Sequence, residues 1–140
     1  MTLMRLPDWD TRMRLAIDGS AYRPFAYGCW DCCLFAADIV EAMTGTDPAA
    51  ELRGRYADVM EAMRIIRSYG GMAAMLDELL GTAPIKPALA SRGDVVLLHP
   101  PKDGDIEQIG TCLGDAAIVA SESGPRFRPM SHAIAAWRIG

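Results

Sequence analysis

The sequence predicts one small α+β domain, with helices in its first part and an antiparallel sheet in its second. Four segments with helical periodicity lie between residues 8 and 80, and short apolar runs separated by turn signals follow Pro84 and Pro87. Such segregation of helices from strands is typical of α+β folds. A chain of 140 residues can bury its own core, so residues 1–140 are assigned to a single domain.

The second helix is the clearest predicted element. Asp31 is a good N-cap, because its carboxylate can accept hydrogen bonds from the free amides of the first turn. Gly45 closes the helix, as glycine commonly does just after a helix end. The stripe predicted to be buried is formed by Cys32, Phe35, Ala36, Ile39 and Met43. Cys32 therefore falls in the first turn, at the positive end of the helix dipole.

Three further helices are predicted from the same periodicity, over residues 8–18, 57–69 and 72–80. Asp8 or Asp10 caps the first of them. Val59, Met63 and Ile66 form the predicted buried face of the third helix along the chain.

The predicted strands cover residues 93–98, 106–113, 116–120, 127–130 and 137–139, with a helical turn at 131–135. Gly114-Asp115 predicts a tight hairpin between the second and third strands. These closely spaced strands indicate a small antiparallel sheet.

Charge and hydropathy exclude several classes of protein. The net charge is −4 and no run of Lys or Arg occurs, which argues against a nucleic-acid partner. The first ten residues lack the apolar segment of a signal peptide, and no apolar stretch approaches the length of a membrane span. We expect a chain that is made in a cytoplasm, stays soluble and has no membrane partner.

Three of the four cysteines lie within five residues. Cys29-x-x-Cys32 has the spacing of a redox motif, but it follows a loop and not the strand that thioredoxin-like proteins place before it. Zinc needs a second pair of ligands, and the only remaining candidates are single residues, namely Cys112, His99 and His132. A redox or metal-binding role would require the sulfurs, including that of Cys33, to converge, and the sequence predicts neither a cofactor nor a metal site.

Cys32 is the candidate nucleophile. A thiol reacts as its thiolate, and the free amides of a helix start lower its pKa by stabilising that anion. A histidine base held by a third polar group completes the usual arrangement, and residues 121–123 follow a strand where a third group is possible. The alternative is that Cys32 is simply a small buried residue on an apolar stripe.

The order of several short motifs resembles the NlpC/P60 cysteine peptidases. Tyr27-Gly28 precedes Asp31-Cys32, and Gly93-Asp94 follows at the start of a predicted strand. A later strand carries Ile109-Gly110-Thr111-Cys112-Leu113-Gly114. The resemblance implies a papain-like fold, with N-terminal helices packed on a small C-terminal antiparallel sheet and Cys32 in the position of the nucleophile.

Nearly the whole chain also resembles a family of short proteins related to NlpC/P60. The shared segments are residues 25–38, 44–48, 54–56, 70–71, 93–95, 113–115 and 136–139. Such proteins are associated with phage tails, prophages and gene transfer agents. The resemblance implies a component of the virion tail that binds other tail or baseplate proteins, such as the hub.

One position departs from the peptidase pattern. Gln108 stands where the family's strand begins with its catalytic histidine, and glutamine cannot act as a general base at neutral pH. His99 closes the preceding predicted strand, so antiparallel pairing brings it near Gln108, where it could substitute as the base. His132 lies in the C-terminal turn, with no geometric reason to reach Cys32.

We therefore expect a tail-tip or baseplate component on a peptidase scaffold that has lost or weakened its catalysis. The alternative is an active cysteine hydrolase that cleaves peptide amides of the cell wall. Cys32 would then be the nucleophile and His99 the relocated base. In both cases the candidate site consists of Cys32, His99 and Gln108.

Overall fold

The computed structural model describes residues 3–140 and has the α+β architecture that the sequence predicts. Four helices come first: α1 (Trp9–Gly19), α2 (Cys32–Thr44), α3 (Val59–Tyr69) and α4 (Met72–Leu80). Five strands follow: β1 (Val95–Leu98), β2 (Gln108–Cys112), β3 (Ala116–Ser121), β4 (Gly124–Pro129) and β5 (Ala133–Trp137). Within residues 3–140, no helix combines the length and the hydropathy needed to cross a membrane.

The strands form one antiparallel sheet in the order β4-β3-β2-β1-β5. The predicted hairpin at Gly114-Asp115 is confirmed, since the Leu113 amide donates to the Ala116 carbonyl at 2.8 Å across it. Helix α2 packs against β2 and β3, and α1 packs against α2. The start of α2 therefore lies beside the middle of the sheet.

Strand β1 is buried on both faces of the sheet, which explains its unbroken apolar run. Successive side chains of a strand point to opposite faces. Val95 and Leu97 belong to the main core with α2, whereas Val96 and Leu98 belong to a second cluster on the other face. Partly buried residues of the connecting segments, namely Ile85, Ala90 and Met130, pack against that second cluster, as does Ala133 of β5.

The predicted ends of α2 are confirmed, and two predictions for the other helices are wrong. Asp8 stands at the N-cap position of α1, but its carboxylate accepts from the Arg12 side chain at 2.8 Å and caps no backbone amide. Val59 is 40% exposed, and Ala62 is the buried residue of α3. Ile66 of the predicted face does pack on the main core, so the prediction fails at the first turn, where Val59 is exposed.

Two strands lie at other positions along the chain than the sequence predicts. Strand β4 is Gly124–Pro129 where 127–130 was predicted, and β5 is Ala133–Trp137 where 137–139 was predicted. Pro125 and Pro129 argue against a strand at β4 when only the sequence is considered. Both are tolerated in the structure because β4 is an edge strand. Strand β5 is rich in alanine, a poor strand former, and it is held by its pairing with β1.

A buried ion pair joins the two ends of the chain. The Arg5 guanidinium lies 3.1 Å from the Asp94 carboxylate, donates to the Ile139 carbonyl at 2.6 Å and stacks on Trp9. Asp94 is fully buried and also accepts from the backbone amides of Ser91 and Ile139, at 2.8 and 3.0 Å. The start of β1 and both ends of the described chain are thereby held together.

We expect Asp94→Asn to lower the free energy of unfolding by about 2–3 kcal/mol, because a buried Arg5 would lose its counter-charge. This is below the range for fully buried pairs, since the Arg5 side chain is 18% exposed. Urea unfolding measures the effect. The matched control is Asp10→Asn in the exposed pair with Arg92, which should change stability little. Equal losses in the two variants would contradict the role of Asp94.

Candidate functional site

Cys32 is the first residue of α2, as the sequence predicts. Asp31 has extended backbone geometry, and its side-chain Oδ1 accepts from the Leu34 amide at 2.9 Å. This is the geometry of an N-cap, in which the side chain satisfies an amide that the helix leaves free. The helix ends at Gly45, which adopts the left-handed conformation. Local sequence thus fixes the position of the thiol.

The Asp31 carboxylate is buried and organises its surroundings through its second oxygen. That oxygen, Oδ2, accepts from the Tyr56 hydroxyl at 2.6 Å and from the Gly28 amide at 3.1 Å. Gly28 has φ +81°, and a Cβ there would lie 2.0 Å from the Tyr56 carbonyl oxygen. One carboxylate therefore ties together the loop before α2, the helix start and the segment before α3.

Burial determines the ionisation of the Cys32 thiol. Removal from water raises the pKa of Cys32 to about 11, and the charge of Asp31 acts in the same direction. The backbone amides of Ile109, Cys33 and Cys32 oppose this shift but do not overcome it. The sequence-based expectation of a lowered pKa is therefore wrong, and at neutral pH the thiol is protonated.

An apolar pocket of about 40 Å³ opens beside Cys32 and is called the Cys32 pocket below. Asp31, Cys33, Tyr27 and Tyr56 line it near the helix start. The rest of its wall is aliphatic and includes Leu52, Ile65, Ile66, Met72, Met75 and Ile106. The same wall that keeps water from the sulfur thus forms a cavity next to it.

Gln108 lies on the far side of the sheet from α2. It is paired with Leu98, and directly opposed residues of antiparallel strands point to the same face. Leu98 belongs to the second cluster, while the next residue of β2, Ile109, belongs to the main core with α2. The β2 residue whose amide acts on the Cys32 thiol is Ile109.

Arg128 of β4 is hydrogen-bonded to Gln108 and to both histidines at one end of the sheet. It donates to the Gln108 amide oxygen at 3.0 Å, to the His99 carbonyl at 2.6 Å and to Nδ1 of His132 at 3.0 Å. The predicted proximity of His99 and Gln108 is confirmed. Within residues 3–140, neither histidine is hydrogen-bonded to the Cys32 sulfur.

The other three cysteines differ in exposure and in their surroundings. All four thiols are free, with Cys29 exposed and Cys112 buried beneath the hairpin turn. Among residues 3–140 no group of His, Cys, Asp or Glu is arranged to hold a metal ion. Burial also raises the pKa of Cys33 well above its ordinary value.

Two tyrosines belong to the site, and the sequence predicted no role for either beyond the motifs that contain them. Tyr56 holds Asp31, and Tyr27 lines the pocket with its pKa raised by burial. The segment 54–56 was noted only as a motif, since no local signal connects Tyr56 to a carboxylate 25 residues away. Residues 121–123 form a polar turn in which Ser121 bonds Gly124 and Ser123.

The fold and site define a small α+β domain with a partly buried thiol at a helix start. The chain belongs to the family described as a domain of unknown function (DUF6950), whose model matches residues 4–139. No curated protein matches the chain, and no solved structure matches it.

We expect Tyr56→Phe to lower the free energy of unfolding by about 1.5–3 kcal/mol, because the buried Asp31 carboxylate would lose a hydrogen bond from a hydroxyl. Thermal and urea unfolding measure the change. Tyr22→Phe is the control, because that side chain is 98% exposed. A Tyr56→Phe protein as stable as the wild type would show that Asp31 does not need this donor.

Proposed function

We propose that this chain is a non-catalytic, papain-like domain related to NlpC/P60 that serves as a structural component of a tail tip or baseplate. The tail would belong to a phage, a prophage or a gene transfer agent, and the partners would be other tail proteins such as the hub. The observation that carries the proposal is that, among the described residues, no histidine is hydrogen-bonded to the Cys32 sulfur. Burial also raises the pKa of that thiol.

The arrangement of α2 on the sheet supports the papain-like relationship. The helix begins with Asp31-Cys32, packs on β2 and β3, and is followed along the chain by an antiparallel sheet. The motifs that resemble the peptidases appear in the same order, and Gly93-Asp94 directly precedes β1. The phage-tail assignment itself comes from the resemblance over nearly the full length of the chain.

The geometry around the thiol argues against hydrolysis. A general base must lie within about 3 Å of the proton that it removes, directly or through one water. Gln108 is on the other face of the sheet, and His132 is held by Arg128. The His99 backbone is tied to the His132 carbonyl through its amide. A thiol without a base and with a raised pKa is a poor nucleophile.

One observation favours the hydrolase as a second candidate. The Cys32 pocket opens directly beside the sulfur, where a substrate side chain of a cell-wall peptide would bind. That function would require His99 to move to the thiol and water to reach it. The two functions therefore differ in the ionisation of Cys32.

The rate of Cys32 alkylation should follow a pKa well above that of an ordinary cysteine, close to about 11, because burial disfavours the thiolate. His99→Ala should leave the profile unchanged. A neutral alkylating reagent and quantitative mass spectrometry follow Cys32 in a Cys29→Ser protein, with exposed Cys29 of the wild type as a reference for reagent quality. A Cys32 profile far below the ordinary value that returns to it in His99→Ala would favour the hydrolase.

In a phage or transducing particle that encodes this chain among its tail genes, we expect Cys32→Ser to leave assembly and DNA delivery intact, because the thiol performs no chemistry. Deletion of the gene should stop tail completion, and Gly28→Val should do the same by disrupting the packing of Gly28 on Tyr56. Plaque or transduction titre and electron microscopy of the particles measure the outcome. Complete particles that lose delivery only in Cys32→Ser would overturn the structural role.

A further inference from the structure

Much of the apolar wall of the Cys32 pocket comes from three parts of the chain that lie after Tyr56. Helix α3 supplies Ile65 and Ile66, α4 supplies Met72 and Met75, and the segment before β2 supplies Ile106. All five side chains are aliphatic or thioether, so a ligand gains affinity here by removing apolar surface from water. Methionine side chains are flexible and can adjust to the shape of an occupant.

The charged group of the pocket, the Asp31 carboxylate, is already used within the fold. Asp31 accepts from Leu34, Gly28 and Tyr56, which leaves it little capacity to bind a further donor. Among the described residues that line the pocket there is no Lys, Arg or His. A buried carboxylate without a nearby cation repels anions, so the charge of the pocket suits an uncharged occupant.

We propose that the Cys32 pocket binds a branched aliphatic side chain presented by a partner protein. This rests on the proposed function, in which the domain works by binding proteins. The cavity measures about 40 Å³, whereas a dry apolar cavity that takes benzene has about 150 Å³. The tip of a leucine, isoleucine or valine side chain fits this space, and an aromatic ring does not. The partner thus inserts an aliphatic anchor where a peptidase would hold its substrate.

The test uses the Cys32→Ser chain labelled with ¹³C at the methionine methyl groups, and N-acetyl-leucine methylamide as the probe. We expect saturable chemical-shift changes at Met72 and Met75, which line the pocket. Met4 and Met60 are 72% and 67% exposed and lie outside the pocket lining, so they serve as internal controls. The methylamides of N-acetyl-phenylalanine and N-acetyl-aspartate should leave all four signals unchanged.

Two variants test whether the leucine probe binds in the Cys32 pocket. Ala62→Leu fills the pocket from α3 and should abolish the shifts, whereas Ala73→Leu on the exposed side of α4 should preserve them. Should Ala62→Leu fail to fold, Ile66→Ala enlarges the pocket and should admit the phenylalanine probe. Absence of saturable shifts with the leucine probe, or shifts that persist in folded Ala62→Leu, would overturn the proposal.

The result is independent of the test of the proposed function. Replacing Cys32 by serine removes the thiol, so the probe reports on the pocket whether or not the wild type is a hydrolase. A failed probe titration together with a raised Cys32 pKa would reject the aliphatic anchor and retain the non-catalytic domain. Binding of the leucine probe together with a low, His99-dependent pKa would reject the proposed function and retain the pocket.

Discussion

The interaction on which the site depends is the set of hydrogen bonds to the buried Asp31 carboxylate. An ionised carboxylate that is 4% exposed is costly unless it is paired or fully hydrogen-bonded. Here the donors are the Leu34 amide, the Gly28 amide and the Tyr56 hydroxyl, and the positive end of α2 adds to them. Removing any one donor therefore affects the loop before α2, the helix and the segment before α3 together.

Asp94 has the corresponding role at the start of the sheet. It is fully buried, and its partners come from Arg5 near one end of the chain and Ile139 near the other. Both aspartates belong to the motifs that resemble the peptidases, Asp31-Cys32 and Gly93-Asp94. Each has a sufficient explanation in the fold. Persistence of these motifs is therefore compatible with the proposed loss of catalysis, since a scaffold can be retained without its reaction.

The sequence predicted those parts of the structure that depend on neighbouring residues. The cap at Asp31, the end of α2 at Gly45 and the hairpin at Gly114 each arise within a few residues. Strand β5 was misplaced because its alanines become a strand only by pairing with β1, which lies more than 30 residues earlier. The face of the sheet on which Gln108 lies was equally unpredictable, because it depends on the register between β1 and β2.

The hydrogen bond from the Tyr56 hydroxyl to Asp31 also could not be predicted from the sequence. Tyr56 approaches Asp31 across 25 residues of chain, and the intervening segment is fastened to α2 by Arg53, which pairs with Asp38 at 2.8 Å and with Asp47 at 2.7 Å. No periodicity or spacing signals such a contact. The fold class and the location of the thiol could be predicted, whereas the surroundings that set its chemistry could not.

The competition between the helix dipole and burial decides the chemistry of Cys32. An anion at a helix start gains about 0.3–1 kcal/mol at a surface, whereas enclosing an ion in protein costs several kcal/mol even after relaxation. Aliphatic residues of α3 and α4 provide that enclosure, so burial prevails and the thiol stays neutral. A histidine that moved to the thiol would meet the same wall. Catalysis would therefore need the wall to open, while an aliphatic anchor needs the wall as it is.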